Sequence, residues 1–107
     1  MEHPVPKFGR FAEPSLLILV SLSDGPKHGY AIMQDVERGS GRPMGAGTLY
    51  AALARLEEEG LVEPLAPVDR RRPYRLTAVG ASLLAEQLRG LAEFAQLGLR
   101  HLGRVVP

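Results

Sequence analysis

The segment GAGTLYAALARLEEEGLV, residues 45–62, sets the architecture of this chain. Its leucines recur at spacings of four and three, which puts them on one face of an α-helix: Leu49, Leu53 and Leu56. Gly60 suits the left-handed backbone conformation that often follows the last turn of a helix. We therefore predict a helix over about residues 46–59.

Two helices are predicted before this one. Pro14 suits the first turn of a helix, and the apolar run Leu16–Leu22 continues it. The turn SDGP, residues 23–26, then leads to a second helix over about residues 28–38. The inner face of the second helix is predicted from residues at helical spacing: Tyr30, Met33 and Val36, with Ile32 beside them.

After the central helix the pattern changes to short strands. The segments LVEPL, residues 61–65, and PYRLT, residues 73–77, are strand candidates, and their prolines restrict them to sheet edges or strand ends. The segment APVDRRR between them is predicted to form an exposed hairpin tip. Thr77 is a suitable N-cap for a last and longest helix over about residues 78–102.

This order of elements predicts a mainly α fold with a small β-hairpin: a winged helix–turn–helix followed by a long C-terminal helix, which its apolar seam, described below, marks as a dimerisation helix. We divide the chain into an N-terminal arm, residues 1–12, a winged helix–turn–helix domain, residues 13–77, and the dimerisation helix, residues 78–107. The length of 107 residues fits one such domain.

The composition excludes several classes of protein. With 45% hydrophobic and 23% charged residues the chain is globular, and its net charge of only +1 gives no overall attraction to nucleic acid. The absence of cysteine excludes disulfides and thiolate metal sites, and it fits a reducing cytoplasm. The apolar run Leu16–Leu22 is far below the roughly 18 residues of a membrane-spanning helix, so no membrane partner is expected.

Three motifs in order carry a more specific signal than the element pattern. They are GPKHGYAIMQDVE from Gly25, GTLYAALARLEEEGLVE from Gly47 and RRRPYRLTAVGASLL from Arg70. Together they resemble the PadR family of bacterial transcriptional regulators, from about Leu16 to Leu84. The resemblance implies a winged helix that binds double-stranded DNA, a homodimer and repression of transcription. The chain is similar to the shorter subfamily, in which a single C-terminal helix follows the wing.

The candidate DNA-reading surface is the outer face of the central helix. Small side chains let a helix lie deep in a major groove about 12 Å wide, and we place Ala51 and Ala52 on this face. Groups near the positive end of the helix suit phosphate: the amide of Gly47 and the hydroxyls of Thr48 and Tyr50. Arg55 is the side chain on this face suited to bidentate contact with guanine.

The predicted wing supplies the positive charge. Its arginines are candidates for a phosphate track or a minor groove: Arg70, Arg71, Arg72 and Arg75. Lys27 and His28, at the start of the second helix, are further candidates for phosphate contact. For His28 a local hydrogen bond that fixes the turn explains the residue equally well.

The last helix carries an apolar seam with the spacing of a heptad pattern. Its candidate dimerisation residues are Leu84, Leu88, Leu91, Ala95, Gly98 and Leu102. We expect this helix to pair with its copy, so that two reading helices lie about 34 Å apart on a pseudo-palindromic operator. The alternative is that the helix folds back on its own core.

The effector is left open, and no cofactor is expected to be required. Phe94 is the only aromatic residue on the last helix, and it is a candidate to line a cavity between subunits or to pack in the core. A metal ion is a second candidate effector, with His3, Glu13 and His101 as ligands if the arm and the last helix meet. No pair among them has the spacing of a known metal motif.

Two other classes of function are weighed against a DNA-binding repressor released by a small molecule or by stress. One is a winged-helix module that binds proteins and not DNA, which the basic wing tip disfavours. The other is an enzyme, for which the sequence shows no nucleophile motif, phosphate loop or carboxylate pair. We therefore expect no catalytic activity.

Overall fold

The computed structural model of the protein describes residues 14–104. Within this range, four helices and three strands follow one another. Their bounds are α1 Pro14–Leu22, β1 Lys27–His28, α2 Gly29–Ser40, α3 Ala46–Glu58, β2 Val62–Pro64, β3 Pro73–Leu76 and α4 Ala78–Gly103. The predicted mainly α fold with a small sheet is confirmed, with β1 as an addition. The predicted arm, residues 1–12, lies outside the described residues.

The core forms where α1, α2 and α3 meet. Its largest fully buried apolar side chains come from these helices and from β2: Ile18, Ile32, Leu49, Leu53 and Val62. Burying one such side chain stabilises the folded state by about 1.5–3 kcal/mol relative to leaving it in water. The apolar face predicted for α3 therefore holds that helix against the other two.

Two residues lie on a different helix face from the one predicted. Tyr30, predicted on the inner face of α2, is 60% exposed, whereas Gly29, Ile32, Val36 and Ser40 are buried. The buried residues are spaced three, four and four, and Tyr30 lies about 100° around the helix from the first of them. Ala52, predicted on the outer face of α3, is 1% exposed.

The ends of the helices follow local chemistry. Helix α2 ends at Ser40, beyond the predicted end, and the next residue, Gly41, has a left-handed φ of 77° and donates its N–H to the carbonyl of Glu37. Gly60, with φ of 76°, follows α3 as predicted. Thr77 caps α4, because its side chain accepts a hydrogen bond from the amide of Gly80 at 3.0 Å.

The strands form one antiparallel sheet in the order β1-β3-β2. Glu63 of β2 lies opposite Arg75 of β3, and Lys27 of β1 lies opposite Tyr74 on the other side of β3. Pro73 is the first residue of β3, which agrees with the predicted restriction of proline to strand ends. We call β2, β3 and the segment between them the wing. Strand β1 ties the wing to the start of α2.

Helix α4 has two parts. Its first two turns pack on the rest of the domain, where Gly80 and Leu84 are buried, and every residue from Glu86 to Arg104 is exposed. Leu84, 4% exposed, therefore belongs to the core of the protomer and not to an exposed seam, which corrects its predicted place. The helix does not fold back on the core, since its residues beyond the first two turns are exposed. Among residues 14–104, no helix has the length and apolarity to cross a membrane.

Candidate nucleic-acid interface

Helix α3, which we call the recognition helix, presents a smooth outer face. Thr48, Ala51 and Arg55 are exposed on it, while the leucines of its inner face are buried. Its N-cap, Gly45, makes no side-chain hydrogen bond to the helix. The amides of the first turn, including that of Gly47, are therefore left without a side-chain cap, as suits binding of an anion.

Tyr50 joins the recognition helix to the start of α2. A Cβ on Gly29 would lie 2.3 Å from the Tyr50 hydroxyl oxygen and 3.2 Å from a methyl carbon of Leu49. Only glycine allows so close an approach, so the motifs HGY and GTLY meet in space. Tyr50 is half exposed, so its ring both packs on α2 and reaches solvent. The sequence analysis did not predict this contact. The presence of both HGY and GTLY in the chain is the feature of the sequence that could have indicated it.

The tip of the wing is a tight two-residue turn. Val68 and Arg71 exchange backbone hydrogen bonds of 2.7 and 2.9 Å, and Asp69 and Arg70 between them have φ of 50° and 65°. Left-handed conformations at both central positions define a type I′ turn, which usually contains glycine or asparagine. A left-handed arginine costs about 1–2 kcal/mol, so the tip holds Arg70 in place against a local preference.

The four wing arginines differ in their contacts. The Arg70 side chain makes no hydrogen bond or ion pair with any residue in 14–104. Arg71 donates to Nε2 of His28 at 3.2 Å, and Arg72 donates to the carbonyl of Leu65 at 2.9 Å. Neither acceptor carries a negative charge, so these contacts do not neutralise the positive charges of Arg71 and Arg72. Arg75 forms an ion pair of 2.8 Å with Glu63 across the strands.

His28 forms a hydrogen bond within the protein, the alternative to phosphate contact that the sequence analysis left open for this residue. An arginine side chain only donates, so Nε2 of His28 is the acceptor in this contact. The contact fixes Arg71 of the wing to the residue before α2. Since Gly29 follows His28, a continuous path runs from Tyr50 through Gly29 and His28 to the wing tip.

Lys27 turns away from solvent, in contrast to the predicted phosphate contact. Its ammonium group lies 2.6 Å from a carboxylate oxygen of Asp24 and also binds Asp35 and the carbonyl of Ser21. Burial lowers the pKa of Lys27, but its hydrogen bonds to Asp24 and Asp35 outweigh burial and raise that pKa above the ordinary value. The hydrogen bond from Lys27 in turn lowers the pKa of Asp35. The ammonium charge is thus balanced within the protein.

The exposed part of α4 carries an apolar surface that no residue of 14–104 covers. Leu88, Leu91 and Leu102 are 42%, 50% and 57% exposed, and Ala95 and Gly98 between them are exposed as well. We call these five residues the seam.

The candidate effector residues are placed as follows. Phe94 is 75% exposed, so its predicted packing in the core of the protomer is wrong. His101 is exposed on α4, whereas His3 and Glu13 lie outside the described residues. Within 14–104, no three histidine or carboxylate side chains group closely enough to hold a metal ion.

These features define a winged helix–turn–helix protein. Three helices form its core, a three-stranded sheet carries an arginine-rich tip, and the N-terminus of α3 is exposed. Residues 18–86 match the model of the Transcriptional regulator PadR-like family, and the chain belongs to that family.

Two relatives and one solved structure are similar to this chain. The chain is similar to the transcriptional regulator Rv3488 of Mycobacterium tuberculosis, with 40% identity over 76% of this chain and 78% of the relative. It is 44% identical, over 80% of its length, to an uncharacterized 37.1 kDa protein in transposon TN4556 of Streptomyces fradiae, and the match spans 25% of that protein. The fold is similar to a PadR family transcription regulator from Clostridium difficile, with a TM-score of 0.76, 24% identity and coverage of 85% and 99% of the two chains.

Proposed function

We propose that the protein is a homodimeric, sequence-specific DNA-binding repressor of transcription. Its family consists of transcriptional regulators, which supports a role at DNA. The proposal rests on two exposed features. The outer face of α3 carries small side chains and Arg55, and the side chain of Arg70 on the wing makes no hydrogen bond or ion pair with any residue in 14–104. A protein with this role would act in the cytoplasm.

In the proposed complex the recognition helix enters the major groove. Ala51 and Thr48 are small enough to let the helix approach the bases, and Arg55 offers two parallel N–H groups to one guanine. Arg70, Arg71 and Arg72 contact the backbone or the minor groove beside it. This division predicts specificity from Arg55 and affinity from the wing.

The direct test is selection of bound duplexes from a random pool by the purified protein, followed by affinity measurements with variants. Arg55→Ala is expected to relax selection at one base pair, with a loss of about 1–3 kcal/mol of discrimination there. Arg89→Ala, which removes an exposed arginine of α4, is the matched control and leaves the selected sequence unchanged. Failure of the wild type to enrich any sequence would overturn the proposal.

The partner that we propose for the seam is a second copy of the chain. Leu88 and Leu91 lie on one half of the seam, and the small residues Ala95 and Gly98 lie on the other. In an antiparallel pair the leucines of one helix meet the alanine and glycine of its partner, so that large side chains fill the space left by small ones. A two-fold axis of this kind would present two recognition helices to a pseudo-palindromic operator.

Dimerisation is tested by sedimentation equilibrium. Leu91→Lys is expected to give a monomer, because it would place charge in the apolar interface. Glu93→Lys, two residues along on another face of the same helix, is expected to leave the dimer intact. A wild-type monomer at micromolar concentration would contradict this part of the proposal.

Release of the repressor by an effector, a small molecule or a metal ion, is the remaining part of the proposal. Phe94 supports a small molecule, since the ring is exposed on α4 close to the seam. We expect a flat aromatic inducer to lower DNA affinity in the wild type and to lose this effect in Phe94→Ala. An equal response of both proteins would exclude Phe94 as the binding residue.

A further inference from the structure

We propose that Lys27 supports DNA binding without touching DNA. Its contacts with Asp24 and Asp35 hold strand β1 in place, and β1 in turn orients the wing. This makes Lys27 a positioning residue of the interface. The inference rests on the proposed function, since it concerns how the same surface is built.

The first observation is the closed contact set of Lys27. Its ammonium group joins three elements, because its partners are the carbonyl of Ser21 in α1, Asp24 in the following turn and Asp35 in α2. Asp35 also accepts from the Ser21 hydroxyl at 2.8 Å and binds Arg38. The Lys27 and Asp35 side chains are only 20% and 22% exposed.

The charges of this cluster cancel. Lys27 and Arg38 carry two positive charges, and Asp24 and Asp35 carry two negative ones. A phosphate that approached Lys27 would have to compete with carboxylates already within hydrogen-bond distance. The cluster therefore adds no net attraction to DNA, and its contribution must be structural.

The second observation is the size of β1. The strand has only two residues, and Lys27 is one of them. Lys27 pairs with Tyr74 and His28 pairs with Pro73, so β1 joins β3, the central strand of the sheet, to the start of α2. So short a strand is not stable through its backbone alone, and its position depends on side-chain anchors. The side chain of His28, the other residue of β1, is in turn hydrogen-bonded to Arg71 at the tip of the wing, so the position of β1 affects the position of the tip.

The variant Asp35→Asn separates positioning from direct contact, because the two roles predict opposite signs. If Lys27 bound phosphate, removal of a nearby negative charge would free it and tighten DNA binding. If Lys27 positions the wing, the same change loosens β1 and weakens binding, at most by the about 10- to 150-fold that corresponds to one charged hydrogen bond. Unchanged or tighter binding by Asp35→Asn would overturn the inference.

The salt dependence of binding gives a second separation. Lys27→Met is expected to lower affinity at every salt concentration while the slope of log K against log salt stays that of the wild type. A direct phosphate contact would instead reduce that slope by about 1. The double variant Lys27→Met with Asp35→Asn removes both partners of one contact, so a positioning role predicts a loss of affinity smaller than the product of the two single losses. A loss equal to that product, or a smaller slope in Lys27→Met, would contradict the positioning role.

Amide hydrogen exchange of the DNA-free full chain tests the inference apart from the proposed function. In Asp35→Asn the amides of Val68 and Arg71 are expected to exchange faster, while that of Leu53 stays protected and reports an intact core. Arg38→Gln, which keeps Asp35 bound to Lys27, is the matched control with wild-type exchange at the wing. Wing protection that is equal in Asp35→Asn and wild type refutes the inference, whereas a wild type that binds no duplex refutes the proposed function.

Discussion

The recognition helix and the wing, the two parts of the proposed DNA-binding surface, differ in what holds them in place and in the charge that they carry. The recognition helix is held by buried leucines and has one arginine, Arg55, against Glu57 and Glu58, so the helix itself is net negative. The wing is exposed, has few tethers and carries four arginines. Shape and charge can thus be supplied by separate elements. A chain with a net charge of only +1 can then still form a basic surface.

The strongest effect is expected where the recognition helix meets the core. Leu53 of this helix is 1% exposed, so Leu53→Ala leaves a cavity and lowers the free energy of unfolding by about 2–5 kcal/mol. Urea denaturation measures this decrease. Thr48→Ala, on the exposed face of the same helix, is expected to change stability by no more than about 0.5 kcal/mol. Equal effects of the two variants would show that the helix is not held by its inner face.

The next effect concerns the joint between the two regions. A Cβ on Gly80 would lie 2.1 Å from the carbonyl oxygen of Leu61, the residue between the recognition helix and β2. Backbone must move to admit it, so Gly80→Ala is expected to cost about 1–3 kcal/mol in thermal or urea unfolding. Gly90→Ala, in the exposed part of α4 with no atom within 4 Å of the added carbon, should stabilise the helix by up to about 1 kcal/mol. A neutral Gly80→Ala would refute the close approach.

A third prediction concerns pH and the side chains that hold β1. Lys27 and the other hydrogen-bond donors hold the pKa of Asp35 below its ordinary value of 3.8. The stability that this carboxylate contributes is therefore fully present above about pH 4 and is lost as the pH falls through the folded-state pKa. At pH 7, Asp35→Asn is expected to be less stable than wild type by about 1–3 kcal/mol. Denaturation curves should show this difference shrinking below pH 4, and a constant difference would contradict the assignment.

The weakest effect is expected at the tip of the wing. Arg70 is left-handed with φ of 65°, a conformation that glycine adopts freely. Arg70→Gly is expected to raise the free energy of unfolding by about 0.5–1 kcal/mol, the relief of strain less the entropy gained by the unfolded chain. DNA affinity should fall in the same variant because a cation is removed. A variant that is less stable than wild type would show that the turn is not strained.

The recognition helix was well predicted because its leucines recur on one face from Leu49 to Leu56 and Gly60 follows its end. Strand β1 has only two residues, which is too short for an alternating pattern of apolar and polar side chains, so it could not be predicted from the local sequence. Ala52 was misplaced because alanine is small enough to lie on either face, and its buried side is fixed only by packing. Tyr30 was misplaced because the inner face of α2 includes two residues, Gly29 and Ser40, that an apolar pattern does not count.

The candidate site was less predictable than the fold because its contacts join distant parts of the chain. Arg71 and His28 are 43 positions apart, and Lys27 and Asp35 are eight apart. The sequence made Lys27 a candidate for phosphate contact, and its contacts with Asp24, Asp35 and Ser21 could not be predicted because they form only when α1, the turn after it and α2 pack together. The arginine cluster of the wing was predictable, because three consecutive charges between two strands can only lie at an exposed tip.

The proposed mode of DNA binding depends on the wing to supply the charge that the recognition helix lacks. This dependence is measured by the slope of log K against log salt for a selected duplex, in wild type and in the variant with Arg70, Arg71 and Arg72 changed to alanine. We predict a slope smaller by about 2–3 in the variant, at about 0.9 for each phosphate that the wing no longer neutralises. The control with Arg89, Arg100 and Arg104 of α4 and its C-cap changed to alanine removes the same charge and should keep the wild-type slope. An unchanged slope in the wing variant would contradict this mode of binding.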